Sequence, residues 1–377
     1  MKILFTGGET GGHFYPIIAV AEAIREKALA KKILPPQFYF MAPSKYNPRA
    51  LFDNDIEYIY VPAGKLRRYF SLLNFTDLFK TFYGCISAIF KLYSLYPDII
   101  FSKGGYGSFP PLLAAKFLKI PVIIHESDSH PGRVNAWAGK FAEKIALSYP
   151  DASQYFKTDA DKIAYTGNPI RKEISEPLSN GAREFLGLED TTPVILVLGG
   201  SQGSVAINDV ILEALPELLT KYQVIHQTGK ANIEDAKQTV SVSLQNHPNA
   251  NRYHPFDYLN ELAIRMSAGV ANIVVSRAGS TIFEIANWGI PSIIIPLPGS
   301  ISHDQTMNAY AYSRTGAAFM IEEDNLSSHI LIGEINRIYD SSAITETMKN
   351  KAKAFARKDS ADVIAEAILE IALKHEK

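Results

Sequence analysis

The sequence predicts an α/β protein with two doubly wound, Rossmann-like domains and a helical C-terminal segment. Short apolar strands alternate with helical patterns along most of the 377 residues, as parallel sheets covered by helices require. The succession of strand, paired glycines and helix occurs at residues 2–24 and again at residues 193–219. This repetition indicates two similar α/β units.

Length and composition agree with two domains and exclude several classes of protein. At about 150 residues per domain, the chain has the length of two domains, and its apolar content of 47% is sufficient for two cores. A net charge of −1 provides no basic field for nucleic acid. The single Cys85 excludes an internal disulfide and fits a reducing compartment.

No membrane span or signal peptide is expected. The N-terminus enters a strand directly after Lys2, and no run reaches the roughly 18 apolar residues that a spanning helix needs. We therefore expect a protein that is soluble or peripheral to a membrane.

The first element is a strand at residues 2–5, followed by TGGETGGH at residues 6–13 and a helix with Pro16 near its first turn. The four glycines of the loop permit positive φ and leave backbone N–H groups free to converge on an anion. A helix N-terminus adds about 0.3–2 kcal/mol in favour of negative charge. The loop matches neither the P-loop nor the dinucleotide fingerprint, so it predicts an anion site without naming the anion.

His13 lies at this positive helix end. The local field disfavours the imidazolium form, so we expect a neutral imidazole at pH 7, which can act as a base. The alternative is a histidine that only caps the turn by hydrogen bonding.

The stretch from Lys65 to Tyr96 follows strands at residues 38–42 and 57–62 and is rich in aromatic, aliphatic and basic residues at helical spacing. One interpretation is a core-facing helix with a basic edge. The other is a surface that rests on an anionic membrane, and the density of aromatic side chains favours it.

Further strands are predicted at residues 98–101, 121–126, 144–148 and 162–165. The loop KGGYGS at residues 103–108 resembles the first glycine-rich loop, and residues 166–171 have the composition of a linker. Neither the Asp-Asn-Asp run at residues 53–55 nor His125-Glu126 has the setting of a metal site, so we expect no metal.

The second half begins with a strand at residues 193–198, the loop GGSQGS at residues 199–204 and a helix at residues 205–219. Strands follow at residues 223–227, 272–276, 292–296 and 317–321, and the last sixty residues are almost all helical. Ligands of open α/β sheets bind beyond the carboxyl ends of the strands. If the two sheets face each other, we expect one interdomain cleft with phosphate loops on both sides.

Glu284 lies one turn into a helix that Gly279 and Ser280 open. A carboxylate there can accept two hydrogen bonds from the vicinal diol of a ribose, each worth roughly 1.5–3 kcal/mol. The alternative is an acid that only complements the helix dipole.

Taken together, the motifs resemble the MurG family of peptidoglycan N-acetylglucosaminyltransferases, in glycosyltransferase family 28. They are GGETGGHFYP from residue 7, GGYGS at 104, HESDSHPG at 125, GNPIR at 167, GGSQGS at 199, SRAG at 276 with the following Glu284, and DQTMNA at 304. They occur in the family's order and extend across residues 6–309. The resemblance implies a GT-B fold and an inverting transfer of GlcNAc from UDP-GlcNAc to undecaprenyl-pyrophosphoryl-MurNAc-pentapeptide (lipid I), giving lipid II without a bound metal or other cofactor.

The resemblance also implies a different role for each domain. Residues 1–167 would bind the acceptor and associate with the membrane at its cytoplasmic face, residues 168–350 would bind UDP-GlcNAc, and residues 351–377 would return as a helix to the first domain. The implied acceptor site comprises Gly7, Gly8, Gly104, Gly105, Tyr106 and Ser108. The implied donor site comprises Thr10, Gly11, Gly12, Asp128, Arg171, Ser201, Gln202, Gly203, Ser280, Thr281, Glu284 and Gln305.

For the mechanism, His13 is the expected catalytic base and Asp128 the second choice. Asp128 replaces an asparagine that is common in the family, so this carboxylate near phosphates needs a donor partner. Backbone N–H groups of residues 200–203, with Arg171, would hold the leaving diphosphate. The alternatives are another lipid-directed UDP-sugar glycosyltransferase, a UDP-GlcNAc 2-epimerase-like enzyme, which would need no lipid, and a protein that only binds.

Overall fold

The computed structural model describes residues 1–8, 10–65, 73–200, 203–299 and 305–375. The chain forms two compact units, residues 1–171 with 357–377 (unit 1) and residues 172–356 (unit 2). None of the described helices combines the length and apolarity of a membrane span.

Unit 1 is built on a seven-stranded sheet in the order β3-β2-β1-β4-β5-β6-β7, in which all neighbouring strands are parallel. Its strands are β1 (Lys2–Thr6), β2 (Gln37–Ala42), β3 (Ile56–Tyr60), β4 (Ile99–Ser102), β5 (Val122–Glu126), β6 (Lys144–Leu147) and β7 (Ile163–Tyr165). The helices are α1 (Gly11–Ala30), α2 (Pro48–Asp53), α3 (Leu73–Leu95), α4 (Phe109–Leu118) and α5 (Arg133–Ala138). Strands β4 and β5 are buried along their whole length, because helices cover both faces of a parallel sheet.

Unit 2 has a six-stranded parallel sheet in the order β10-β9-β8-β11-β12-β13. Its strands are β8 (Val194–Leu198), β9 (Gln223–Gln227), β10 (Tyr253–Phe256), β11 (Ala271–Ser276), β12 (Ser292–Ile294) and β13 (Ala318–Met320). The helices are α6 (Lys172–Ser175), α7 (Ala182–Leu186), α8 (Val205–Leu218), α9 (Ile233–Ser243), α10 (Glu261–Val270), α11 (Thr281–Trp288), α12 (Thr306–Ser313), α13 (Ser328–Asp340) and α14 (Ser342–Phe355). The sequence did not predict β10, whose Pro255 is tolerated because the strand lies at the sheet edge.

The last helix, α15 (Ser360–His375), belongs to unit 1. Its apolar face, with Ile364, Ile368 and Leu369, is buried in the same core as α1, and the Glu366 carboxylate pairs with Lys31 and Lys27 of α1. Two Rossmann-like units and a terminal helix confirm the predicted fold class.

Two local predictions were wrong. The helix α1 begins at Gly11, because the N–H groups of His13 and Phe14 both donate to the Thr10 carbonyl at 3.1 and 3.0 Å; Pro16 therefore lies in the second turn rather than the first. Residues 166–171 are not a free linker. Thr166 and Asn168 are buried, and the Gly167 carbonyl accepts hydrogen bonds from His125 Nε2 at 2.9 Å and Ser360 Oγ at 3.0 Å.

Candidate functional site

Two glycine-rich turns of unit 1 lie against each other. A Cβ added at Gly105 would lie only 2.9 Å from Gly8 Cα, and one added at Gly8 would lie 2.4 Å from His13 Nδ1. Such approaches are possible only without side chains. The structure thus brings together the two glycine-rich loops that the sequence resemblance assigned to one acceptor site, with the imidazole of His13 beside both.

The second loop is held in shape by its own serines. Gly104 and Gly105 have φ values of +74° and +82°, which favour glycine. The Gly104 N–H donates to Ser102 Oγ at 3.0 Å, and the buried Ser108 hydroxyl donates to the Gly104 carbonyl at 2.6 Å. The Lys65 ammonium lies 5.3 Å from the centre of the Tyr106 ring.

Lys103, which sequence reasoning did not single out, is buried beneath these turns with 1% of its surface exposed. Its Nζ lies 2.6 Å from His125 Nδ1, 3.1 Å from Ser127 Oγ and 3.1 Å from Asn168 Oδ1. His125 Nε2 faces the Gly167 carbonyl, so the proton is on Nε2 and Nδ1 accepts from Lys103. Burial, together with the Lys103 charge, holds the pKa of His125 well below its usual value.

The Glu126 carboxylate is buried at the end of β5 and is surrounded by donors. It accepts from the N–H groups of Asp128 and Gly132, both at 3.0 Å, and from Asn135 Nδ2 at 2.9 Å. Burial raises the pKa of Glu126 to about 7, and the charge of Asp128 acts in the same direction. Burial lowers the pKa of Lys103 to about 7, against the charges of Glu126 and Asp128.

The predicted donor residue Arg171 lies in unit 1 rather than in the second domain to which the sequence analysis gave it. Its guanidinium carbon is 4.0 Å from the centre of the Tyr15 ring on α1, a cation–π contact. Arg171 therefore shares unit 1 with Thr10, Gly11, Gly12 and Asp128.

In unit 2 the end of the loop after β8 packs against Thr228, which follows β9. Gly203 has a φ of +79°, and a Cβ there would lie 2.0 Å from the Thr228 carbonyl oxygen, so no other residue fits. Ser204 caps α8 by accepting from the Ile207 N–H at 3.4 Å. The neighbouring candidates Ser201 and Gln202 lie outside the described residues.

Arg277 joins this loop to neighbouring strands, a role that sequence reasoning missed. Its guanidinium donates to Ser204 Oγ at 2.6 Å and to the Pro296 carbonyl at 3.1 Å, and it pairs with the Glu323 carboxylate. The sequence signals were an arginine directly after an apolar strand and its place in the SRAG motif.

The remaining donor candidates open two helices of unit 2. Ser280 is the N-cap of α11, Thr281 is its first residue and Glu284 lies in its first turn. Gln305 is the N-cap of α12 and accepts from the Leu297 N–H at 3.2 Å. A Cβ on Gly279 would lie 3.6 Å from Gln305 Nε2, so these two helix starts adjoin.

Within the part of the chain that the structure describes, no cluster of three or more histidine, cysteine or acidic side chains has the arrangement of a metal site. Asp53 pairs with Arg49 and Asp55 with Arg25. The recognisable chemistry is that of glycine loops, helix N-termini and a neighbouring imidazole.

Comparison with known families matches both halves of the chain. Residues 3–147 match the family model described as the glycosyltransferase family 28 N-terminal domain, and residues 194–364 match the glycosyltransferase family 28 C-terminal domain.

Several curated relatives are similar over nearly their whole length. A protein from Treponema denticola is 37% identical, with 94% of this chain and 93% of the relative covered. One from Borrelia turicatae is 36% identical, with 98% and 96% covered. Both are named UDP-N-acetylglucosamine–N-acetylmuramyl-(pentapeptide) pyrophosphoryl-undecaprenol N-acetylglucosamine transferase.

Solved structures with the same fold include two functional classes. Acinetobacter baumannii MurG has a TM-score of 0.74 and 23% identity, with 98% of this chain and 99% of that chain covered. The UDP-GlcNAc 2-epimerase from Neisseria meningitidis, bound to UDP-GlcNAc, has a TM-score of 0.69 and 17% identity, with 98% and 100% covered. At these identities the likeness concerns the fold alone.

Proposed function

Because the chain belongs to glycosyltransferase family 28, we propose that it transfers N-acetylglucosamine from UDP-GlcNAc to the C4 hydroxyl of undecaprenyl-pyrophosphoryl-MurNAc-pentapeptide. The product is the lipid-linked disaccharide, lipid II. The observation that carries the proposal is the contact of the two glycine-rich turns at Gly8 and Gly105 beside His13. This arrangement offers an anion site and a base within one unit, as an acceptor with a diphosphate and a reactive hydroxyl requires.

In the proposed reaction the acceptor diphosphate binds at the turns of Gly7, Gly8, Gly104 and Gly105. His13, or in second place Asp128, takes the proton of the C4 hydroxyl as the oxygen attacks the anomeric carbon. Attack from the face opposite UDP inverts the configuration and gives a β1,4 bond. General-base assistance of this kind contributes about 10²–10⁴ in rate.

On the donor side, negative charge develops on UDP as it leaves. Backbone N–H groups at the start of α8, near Gly203, and the Arg171 guanidinium are proposed to hold the diphosphate in place of a metal. Glu284 is proposed to accept hydrogen bonds from the ribose, and Gln305 to contact the sugar.

The exposed face of α3 supports a peripheral position on the membrane. Apolar side chains recur at helical spacing on this face and are all exposed: Phe75, Phe79, Phe82, Ile86, Phe90 and Tyr93. The opposite face, with Ala88 and Leu92, is buried, so the stripe is not the core-facing surface of α3. We propose that it inserts into the cytoplasmic leaflet, where the lipid acceptor is held. Arg67 and Arg68, two of the basic residues in the stretch from Lys65 to Tyr96, lie outside the described residues.

The test is UDP release by the purified protein from UDP-GlcNAc and a short-chain lipid-linked MurNAc-pentapeptide, with EDTA present and product mass measured in parallel. We expect a disaccharide product in the absence of added metal. Loss of product in EDTA, restored by a divalent cation, would contradict the metal-free mechanism.

The second candidate is an epimerase, because the fold is shared with UDP-GlcNAc 2-epimerases. Conversion of UDP-GlcNAc in the absence of acceptor would support it. Transfer to diacylglycerol instead of the MurNAc lipid would indicate another lipid-directed glycosyltransferase.

A further inference from the structure

The buried ammonium group of Lys103 joins three loops at one edge of the sheet of unit 1. Lys103 itself follows β4, and its backbone N–H donates to the Thr6 carbonyl at the end of β1. Its three side-chain partners are His125 at the end of β5, Ser127 just beyond it and Asn168 after β7. An ammonium group has three donors, so all three are used and each loop is fixed relative to the others.

The same ammonium group lies among acidic side chains. The charges of Glu126 and Asp128 act on Lys103, and the charge of Asp128 acts on Glu126. Asn135 Nδ2, which donates to the Glu126 carboxylate, would lie 2.7 Å from a Cβ on Gly104, so this carboxylate is close to the second glycine-rich turn. Carboxylates close to the turn repel a bound anion, and burial strengthens that repulsion because the local dielectric is low. A site that binds a diphosphate here therefore needs a positive charge close to the carboxylates.

Hydrogen-bond geometry fits the ionised form of both buried groups. The Lys103 nitrogen faces three acceptors, whereas the Glu126 carboxylate faces three N–H donors. Hydrogen bonds to the charged form stabilise that form. The charge of Lys103 is opposite to those of Glu126 and Asp128, which act on it, so removing the buried ammonium would leave the carboxylates uncompensated.

We propose that Lys103 is a positioning residue of the acceptor site, whose buried ammonium offsets the carboxylates of Glu126 and Asp128 so that the glycine-rich turns can hold a diphosphate. The inference rests on the proposed function in that it assigns this anion to the lipid-linked acceptor. The proposal also explains how a predicted phosphate site can contain the carboxylate of Asp128, which by itself would repel the anion.

Substitutions that change and then restore the net charge of Lys103, Glu126 and Asp128 test the proposal. Lys103→Met makes the cluster one unit more negative than in the native chain, and Asp128→Asn makes it one unit more positive. The double variant Lys103→Met/Asp128→Asn restores the native sum with side chains of similar size. A role of Lys103 confined to bridging the loops depends on its hydrogen bonds and not on that sum.

The experiment measures binding of farnesyl diphosphate by calorimetry, with saturating UDP present, to the native chain and the three variants. We expect Lys103→Met to weaken binding about tenfold or more, Asp128→Asn to strengthen it, and the double variant to bind within about threefold of the native chain. Urea unfolding of each variant establishes that the folded state is compared. Because no transfer step is measured, the result is separate from that of the transferase assay.

The proposal is overturned if the double variant binds as weakly as Lys103→Met, or if the native chain does not bind farnesyl diphosphate. If Lys103→Met does not fold, the affinity of Asp128→Asn for farnesyl diphosphate alone tests the proposal. Tighter binding supports the charge balance, and unchanged or weaker binding overturns it.

Discussion

Gly105 and Gly8 lie so close that a single methyl group on Gly105 would come within 2.9 Å of Gly8 Cα. Because Gly105 also has a φ of +82°, alanine there meets both a steric clash and an unfavourable backbone conformation. We expect Gly105→Ala to destabilise the fold by about 1 kcal/mol or more and to raise the KM for the lipid acceptor, while the KM for UDP-GlcNAc changes little.

The matched control is Gly132→Ala. Gly132 lies near Glu126, but a Cβ there would meet nothing within 4 Å, and its φ of −63° suits alanine. Equal effects of the two substitutions on acceptor KM would contradict the assignment of the Gly8–Gly105 contact to acceptor binding.

Much of this fold follows from periodicity in the sequence. Strands such as residues 194–198 are continuous apolar runs, here between Pro193 and Gly199. This pattern can be recognised without knowledge of the partner strands. The strand β10 was not predicted because its four residues include Pro255. Proline lacks the N–H donor for a hydrogen bond to the next strand and is tolerated only at a sheet edge. Edge position is a property of the assembled sheet and is not visible in a local window.

The candidate site likewise contains some residues that the sequence predicted and others that it did not. The glycine-rich loops could be predicted because their signal, a pair of glycines between a strand and a helix, lies within one short stretch of sequence. Lys103 could not be predicted, because it is buried by tertiary packing and its partners His125 and Asn168 lie far from it in the sequence. The contact of Arg171 with Tyr15 is likewise a product of tertiary packing, and it shows why a loop of linker composition became part of unit 1.

His13→Ala is expected to lower the turnover number by about 10²–10⁴, the usual share of a general base. The affinity for UDP-GlcNAc, measured by calorimetry, should stay within about threefold, because the imidazole acts on the acceptor hydroxyl. Asp128→Asn serves as the comparison for the second candidate base. A loss below tenfold in His13→Ala with intact donor affinity, together with a larger loss in Asp128→Asn, would transfer the role to Asp128.

The double variant Phe79→Ser/Phe82→Ser is expected to reduce binding to vesicles that contain anionic phospholipid by at least about tenfold. Fully burying one phenylalanine side chain contributes about 1.5–3 kcal/mol, and these two side chains are 59% and 65% exposed on α3. Co-sedimentation with vesicles measures the loss.

Phe185→Ser is the control for this surface, since Phe185 is 51% exposed but lies in unit 2. The transfer rate with a water-soluble, short-chain acceptor should be unchanged in the double variant. Full vesicle binding by the double variant would refute insertion of this face.

Glu284→Gln is expected to weaken UDP binding by about 10- to 100-fold, as the loss of charge-assisted hydrogen bonds to a ribose implies. The native chain should also prefer UDP over 2′-deoxy-UDP, and the variant should lose most of that preference. Glu261→Gln is the control, because Glu261 occupies the first turn of α10 as Glu284 does in α11. If both variants bind UDP as the native chain does, Glu284 only complements its helix dipole.

Because His226 is buried, we expect unit 2 to lose stability in weak acid. Its ring nitrogens lie 3.0 Å from Tyr253 Oη and 3.0 Å from Asn208 Oδ1, and burial lowers its pKa to about 3. The unfolded chain, in which a histidine titrates near pH 6.5, therefore binds more protons than the folded chain between about pH 6.5 and 3. Stability must fall as the pH is lowered through this window, by about 1 kcal/mol between pH 6.5 and 5.5.

The measurement is urea unfolding followed by the fluorescence of Trp288, which lies in unit 2, in a Trp137→Phe background that removes the other tryptophan. His226→Gln lacks the titrating ring, so its free energy of unfolding should fall by about 1 kcal/mol less over the same pH step. His254, whose pKa burial also lowers, is present in both proteins, and its contribution cancels in the comparison. Equal pH dependence in the two proteins would mean that His226 is protonated in the folded state, in conflict with its burial between a phenol and an amide.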